Sequence, residues 1–281
     1  MKYIYVNFKR FDIPAAFGGV NRIAEPAEWA GTILRDIRDG LAKYRADEAR
    51  FTLFFPEAHL LSAAKEKGKP PGHPAVIGCQ GVYREDCAAG GNFGAFTTNR
   101  PASAAKMLGC EAALIGHCEE RRDKAGILAE AGVTSPDAVN RILAAEIRAA
   151  LAQGLDVLYC IGETAEEQER RQEVLGAQLD VLKGLDTSKI VIAYEPVWAI
   201  GPGKTPPDKD YIREIAAFVK ERTGGLPVVY GGGLKEDNAP MLASIPEIDG
   251  GLIALTRFAG EIGFYPEEYL SIVKLYLGNI I

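Results

Sequence analysis

Residues 190–201 read Ile190-Val191-Ile192-Ala193-Tyr194-Glu195-Pro196-Val197-Trp198-Ala199-Ile200-Gly201. An apolar run without polar alternation is the pattern of a strand covered on both faces, as in a parallel sheet. This run stops on a carboxylate, a proline and a tryptophan. Similar short apolar runs occupy residues 3–7, 51–55, 75–79, 112–115, 156–160, 227–230 and 251–255. Between them lie stretches with helical periodicity at 28–44, 135–153, 165–182, 208–221 and 266–277. Ser135 or Asp137 can cap the second of these and Gly154 can end it, while Pro136 and Pro266 stand near helix starts.

Eight strands alternating with helices predict an α/β fold, a (β/α)8 barrel forming one domain over residues 1–281. An open doubly wound sheet gives a similar pattern. In either architecture the chemistry belongs at the strand C-termini. Those ends carry Asn7-Phe8-Lys9, Gly116-His117, Cys160-Ile161-Gly162-Glu163, Tyr194-Glu195 and Tyr230-Gly231-Gly232-Gly233.

Composition narrows the classes. The 281 residues are 47% hydrophobic and 25% charged, ordinary for a globular protein, and no Gly/Ser or Pro linker divides them. A net charge of -6 leaves no basic stripe for nucleic acid, so an anionic ligand needs a local cation. The N-terminus lacks a hydrophobic signal region, and no apolar run is long enough to span a membrane. Five cysteines without a C-x-x-C pair suit reduced thiols in a cytoplasm. Neither a cofactor nor a metal is expected.

Residues 193–204 (AYEPVWAIGPGK) resemble the catalytic strand end and hinged lid of the triosephosphate isomerase family. Ile115-Gly116-His117-Cys118-Glu119 is similar to that family's I-G-H-S-E element. Asn7 with Lys9, Gly94-Ala95-Phe96-Thr97, Cys160-Ile161-Gly162-Glu163 and Tyr230-Gly231-Gly232 follow in the family's order. The resemblance spans most of the chain. It implies an aldose–ketose isomerase that works through an enediolate on a small phosphorylated sugar. A glutamate base, a neutral histidine at a helix N-terminus and a closing lid are what it carries with it.

Residue by residue, the resemblance makes Glu195 the base and His117 the electrophile that polarises the carbonyl. Lys9 is the local cation that stabilises an oxyanion, Asn7 a donor to the same oxygen, and Glu119 the partner that holds Lys9. Residues 196–204 form the lid. The backbone amides of Gly201, Gly231, Gly232 and Gly233 are expected at the phosphate. The family's third loop docks into a neighbouring subunit, and Gln80, Tyr83 and Gly94–Thr97 fit that role in a homodimer. His59 and His73 receive no role.

The chain also departs from the family. Where a glycine pair should follow the eighth strand, it carries Ala254-Leu255-Thr256-Arg257. Arg257 either binds phosphate directly or points to solvent. Gly233 replaces a serine, Thr98-Asn99 replaces G-E, and residues 125–135 lengthen the segment after His117. Loop one continues from Lys9 as Arg10-Phe11-Asp12-Ile13-Pro14 towards Gly18-Gly19-Val20-Asn21-Arg22. A triose phosphate is the simplest substrate, and the rewritten phosphate end makes a tetrulose phosphate the alternative. A barrel kept only as a scaffold would be expected to lose the Glu195–His117–Lys9 set. A metal-dependent epimerase needs a His/Asp cluster, which three histidines in these positions do not supply.

Overall fold

The computed structural model describes residues 1–201 and 203–278. Eight parallel strands close into a barrel in chain order: β1 (Lys2–Asn7), β2 (Ala49–Phe55), β3 (Ala75–Cys79), β4 (Ala112–Ile115), β5 (Asp156–Ile161), β6 (Ile190–Tyr194), β7 (Val228–Tyr230) and β8 (Gly250–Ile253). Around them pack α1 (Trp29–Leu41), α2 (Leu60–Lys67), α3 (Ala102–Met107), α4 (Cys118–Glu130), α5 (Pro136–Ala152), α6 (Arg171–Leu179), α7 (Lys209–Thr223), α8 (Ala239–Ala243) and α9 (Pro266–Leu277). The closed barrel excludes the open sheet. No described helix is long and apolar enough to cross a membrane.

The unbroken apolar strands now have a cause. Along β6, Ile190, Ile192 and Tyr194 join the layer beneath the helices, whereas Val191 and Ala193 fill the barrel interior. Both faces are dry, so neither needs polar residues. Strand alternation also carries past the last rung. Continuing the inward series takes Tyr5 to Asn7, Leu158 and Cys160 to Gly162, Val191 and Ala193 to Glu195, and Val229 to Gly231. Pairing of Ile161 with Tyr194 and of Tyr194 with Tyr230 brings Gly162, Glu195 and Gly231 level at one rim.

Helix ends follow their chemistry. Ser135 caps α5 by accepting from the Ala138 amide, Pro136 stands at its first turn, and Gly154 after it turns left-handed at φ 72°. Asp208 caps α7 through the Tyr211 amide. The stretch 165–182 is not one helix: 3-10 turns flank α6. The run 251–255 ends earlier than expected, at Ile253.

Two segments outside the barrel pattern meet above β1. Loop one (residues 8–28) is fixed from both sides: Asp12 Oδ2 lies 3.0 Å from Nε2 of His59, which follows β2, and within the loop the Asn21 side chain donates to the Asp12 and Ala24 carbonyls. His59 therefore has a structural task that the sequence did not disclose. The segment after β8 folds back through an antiparallel bridge between Arg257 and Gly263. Arg22 Nη1 donates to the Ile262 carbonyl at 3.1 Å, joining the two loops. Phe264 anchors the second loop by packing edge-on against Phe8, at 4.8 Å between centroids. Truncating a buried aromatic removes about 3–5 kcal/mol. Phe264→Ala should lower unfolding stability by about that amount in urea titrations, and a loss below about 1 kcal/mol would show that the loop is not anchored there.

Candidate active site

Glu195 follows β6 directly and is 2% exposed. Two glycines make its seat. A Cβ on Gly162 would collide with the Glu195 carbonyl, and one on Gly231 would come within 2.7 Å of Glu195 Cγ. Its Oε2 accepts a 2.9 Å hydrogen bond from the Cys118 amide, at the first turn of α4. Burial pushes the carboxyl up to about 7, against the opposing pull of that amide and of Lys9. A carboxylate near neutrality in a dry site is a capable base.

His117 is the N-cap of α4, and Gly116 before it turns left-handed at φ 82°. That turn takes the chain out of strand alternation and aims the ring along the rim. Nδ1 accepts from the Glu119 amide at 3.3 Å, which leaves the ring proton of neutral imidazole on Nε2. Nε2 lies 3.5 Å from Glu195 Oε1. Burial, then the nearby charge of Lys9, pushes His117 down to about 4, so the ring is a neutral donor at pH 7.

Lys9 holds φ 44°, a conformation unfavourable for a side-chain-bearing residue. Its amide donates to Asn7 Oδ1 at 3.0 Å, and its carbonyl accepts from Gln80 Nε2 at 3.0 Å. Gln80 also donates to Asn7 Oδ1 at 3.2 Å. Asn7, Lys9, Gln80, His117 and Glu119 line one cavity of about 480 Å³.

The family model described as triosephosphate isomerase matches residues 29–269. The chain is 34% identical over 241 residues to a triosephosphate isomerase of Prosthecochloris aestuarii, covering 76% of this chain and 85% of that one. It is 39% identical over 225 residues to one of Chlorobium phaeobacteroides, covering 76% and 81%. The crystal structure of the Bartonella henselae triosephosphate isomerase superposes with a TM-score of 0.70 at 25% identity, over 98% of both chains. This chain belongs to the triosephosphate isomerase family. The family match begins at residue 29, beyond Asn7 and Lys9, so barrel geometry is what brings those two residues to the rim.

Against the family pattern, the other sequence-derived residues divide. Glu119 is exposed and forms no ion pair with Lys9 among the described residues. It stands in the first turn of α4 across the shared cavity, and its amide, not its carboxylate, reaches His117. Gly231 does not offer a free amide, because its N–H donates to the Tyr194 carbonyl at 2.6 Å. Its contribution is room for Glu195. Gly232 and Gly233 keep amides with no protein acceptor among the described residues, and Gly233 has φ 103°. Arg257 is partly exposed and ion-paired. Its Nε donates to Glu268 Oε1 at 2.7 Å, and its guanidinium stacks 3.8 Å from the Tyr265 ring centroid.

In the lid, Gly201 and Gly203 adopt φ 120° and 74° and are exposed, and Pro202 lies outside the described residues. Trp198 Nε1, the Tyr194 hydroxyl and the Tyr211 hydroxyl all donate to Glu163 Oε1, at 2.8, 2.9 and 3.0 Å. Glu163 is fully buried and its other oxygen has no partner among the described residues.

From sequence, Gln80 was expected elsewhere, Glu163 carried no role and Lys235 was passed over. Gln80 continues the inward series of β3, so strand parity would have found it. It faces the rim rather than the docking surface assigned to loop three. Glu163 closes the quoted Cys160–Glu163 element and needed only a count of the donors nearby. Lys235 gave no sequence signal. Its ammonium lies 4.3 Å from the Phe258 ring centroid with no carboxylate partner among the described residues. Its Cε is 3.6 Å from where a Cβ on Gly233 would stand.

A buried carboxyl raised from 4.5 to about 7 ionises in the unfolded chain first. Its contribution to stability is therefore lost as pH rises between those values, by about 3 kcal/mol once fully ionised. Glu195→Gln should be more stable than the parent at pH 8 by up to about that amount, with the gap closing towards pH 4. Equal stabilities at both pH values would mean that the carboxyl is not raised.

Proposed function

We propose that this protein interconverts glyceraldehyde 3-phosphate and dihydroxyacetone phosphate. The carrying observation is a buried carboxylate poised near pH 7, 3.5 Å from a neutral imidazole whose Nε2 bears the proton. Family membership supports the same reaction class.

Glu195 takes the proton from the carbon beside the substrate carbonyl and returns it to the neighbouring carbon. His117 Nε2–H donates to the carbonyl oxygen as negative charge develops there, and the Lys9 ammonium stabilises the same charge. Asn7 Oδ1 is occupied by the Lys9 amide and Gln80, so its NH2 is the group left to donate. The Pro196–Lys204 segment excludes water and keeps the enediolate from expelling phosphate. The amides of Gly201, Gly232 and Gly233 receive the phosphate, with Lys235 supplying the charge that Arg257, held by Glu268, does not. Loop three presents Phe93, 82% exposed, and packs Phe96 against Tyr83, features that suit docking into a second copy in a homodimer.

A tetrulose phosphate is the second reading. It is favoured by the mutual packing of the rebuilt loops one and eight beside Lys9. The chemistry is the same, so comparing kcat/KM for the triose and tetrulose phosphates decides the substrate, and turnover of neither overturns both readings.

Removing a positioned base slows catalysis by about 10²–10⁴-fold, and Glu195→Gln should lower kcat within that range. Lys235→Met, which keeps the side-chain stem, should raise KM at least about tenfold, the loss of roughly 1.4 kcal/mol of ion pairing. Arg257→Gln should leave KM within about twofold. The reverse ranking of these two variants would return the phosphate to Arg257.

A further inference from the structure

The family element I-G-H-S-E reads Ile115-Gly116-His117-Cys118-Glu119 here, so a thiol stands where a hydroxyl is expected. That exchange puts three kinds of metal donor in one place. Cys118 Sγ lies 3.9 Å from His117 Nε2 and 4.0 Å from Nδ1, and His117 Nε2 lies 3.5 Å from Glu195 Oε1. One ligand atom from each of the three residues falls within 4.8 Å of the others. A tetrahedral zinc ion, with bonds of about 2.3 Å to sulfur and about 2.0–2.1 Å to nitrogen or oxygen, sets sulfur and nitrogen about 3.6 Å apart and nitrogen and oxygen about 3.3 Å apart. The sulfur–nitrogen and nitrogen–oxygen spacings exceed these by a few tenths of an ångström, and sulfur and carboxylate oxygen lie within 4.8 Å. Binding draws the three side chains together around the ion.

We propose that His117, Cys118 and Glu195 form a Zn²⁺ site, with water as the fourth ligand, whose occupation switches the catalytic pair off. Cysteine spacing along the chain gives no zinc signature, because these three donors meet only in the fold. A thiolate with an imidazole and a carboxylate selects zinc over magnesium or calcium, which favour oxygen ligands throughout. On binding, the S–H bond breaks, a Zn–S bond forms and the proton leaves to water. The thiolate and the Glu195 carboxylate then balance the charge of the ion. Lys9, Arg121 and Arg122 are the cations nearby, and Glu120 is the opposing anion.

Ligation is not free of competition. The His117 Nδ1 lone pair accepts from the Glu119 amide, so binding through Nδ1 gives up that 3.3 Å hydrogen bond, and binding through Nε2 moves the ring proton to Nδ1 and gives it up as well. With three protein ligands and this competing bond, zinc is held reversibly, unlike in a closed four-ligand structural site. The bound ion takes the lone pairs of both the base and the electrophile. Zinc and substrate therefore exclude each other.

Binding is independent of the reaction assigned above, and only the inhibition rests on it. The chelator-treated protein is titrated with Zn²⁺ against a chromogenic zinc indicator, and with Co²⁺ while thiolate-to-cobalt charge-transfer absorption is followed. One equivalent of zinc and a charge-transfer band are expected. Cys118→Ser should weaken zinc at least tenfold and abolish the band, with circular dichroism confirming the fold. Cys87→Ser, an exposed thiol elsewhere, should change neither. Absence of stoichiometric zinc, or equal affinity in Cys118→Ser, overturns the site. Where isomerase activity is measured, zinc should raise the apparent KM. Zinc bound at one equivalent without any such effect overturns the switch and leaves the site.

Discussion

The hydrogen bond from the Cys118 amide to the buried Glu195 carboxylate is the contact on which the rim depends. A carboxylate with almost no water is held there by a helix terminus that offers it an N–H and positive dipole, with Lys9 adding to the pull. The same terminus is capped by His117, so one turn of helix holds the Glu195 carboxylate through the Cys118 amide and the imidazole through the Glu119 amide. The glycines at 162 and 231 supply the room. A larger residue at either would push the carboxylate out, and the imidazole would lose its neighbour. Glu195 and His117 are thus placed together by one local fold, the start of α4 pressed against the end of β6.

Much of the barrel was legible because burial on both strand faces writes an unmistakable pattern. β3, β4 and β6 fall where their apolar runs lie. The short helices α2, α3 and α8 were not legible, since five to eight residues hold too few turns to print a period. α4 was visible only as the possible helix after His117. It buries no residue and therefore has no apolar stripe. At the site, Glu195 and His117 could be read because strand alternation and a family motif coincide on them. Lys235 could not, because its meaning arises only when its side chain folds back over Gly233 towards Phe258. The surroundings of Arg257 were not legible for another reason. Its partner Glu268 is eleven residues away, on a helix whose angle to the loop no sequence pattern reports.

The lid root has its own logic. Three donors from β6, the lid and α7 converge on a single Glu163 oxygen inside the protein. Buried carboxylates need such donors to replace water. The convergence ties the tryptophan of the lid to the strand that bears the base. Any movement of Trp198 must break its 2.8 Å hydrogen bond to Glu163, which gives Trp198 a defined resting position.

Arg22, reaching from loop one to the Ile262 carbonyl, has a consequence for how such enzymes diversify. Val20 sits under Gly263, and Phe264 under Phe8, so each loop is part of the other's floor. Neither length can drift alone. A transplant of loop one into a relative with the short eighth loop would arrive without its floor, leaving an arginine with no carbonyl and Phe8 with an open flank. The two loops therefore form one structural unit, and a change of length in either alters the support of the other.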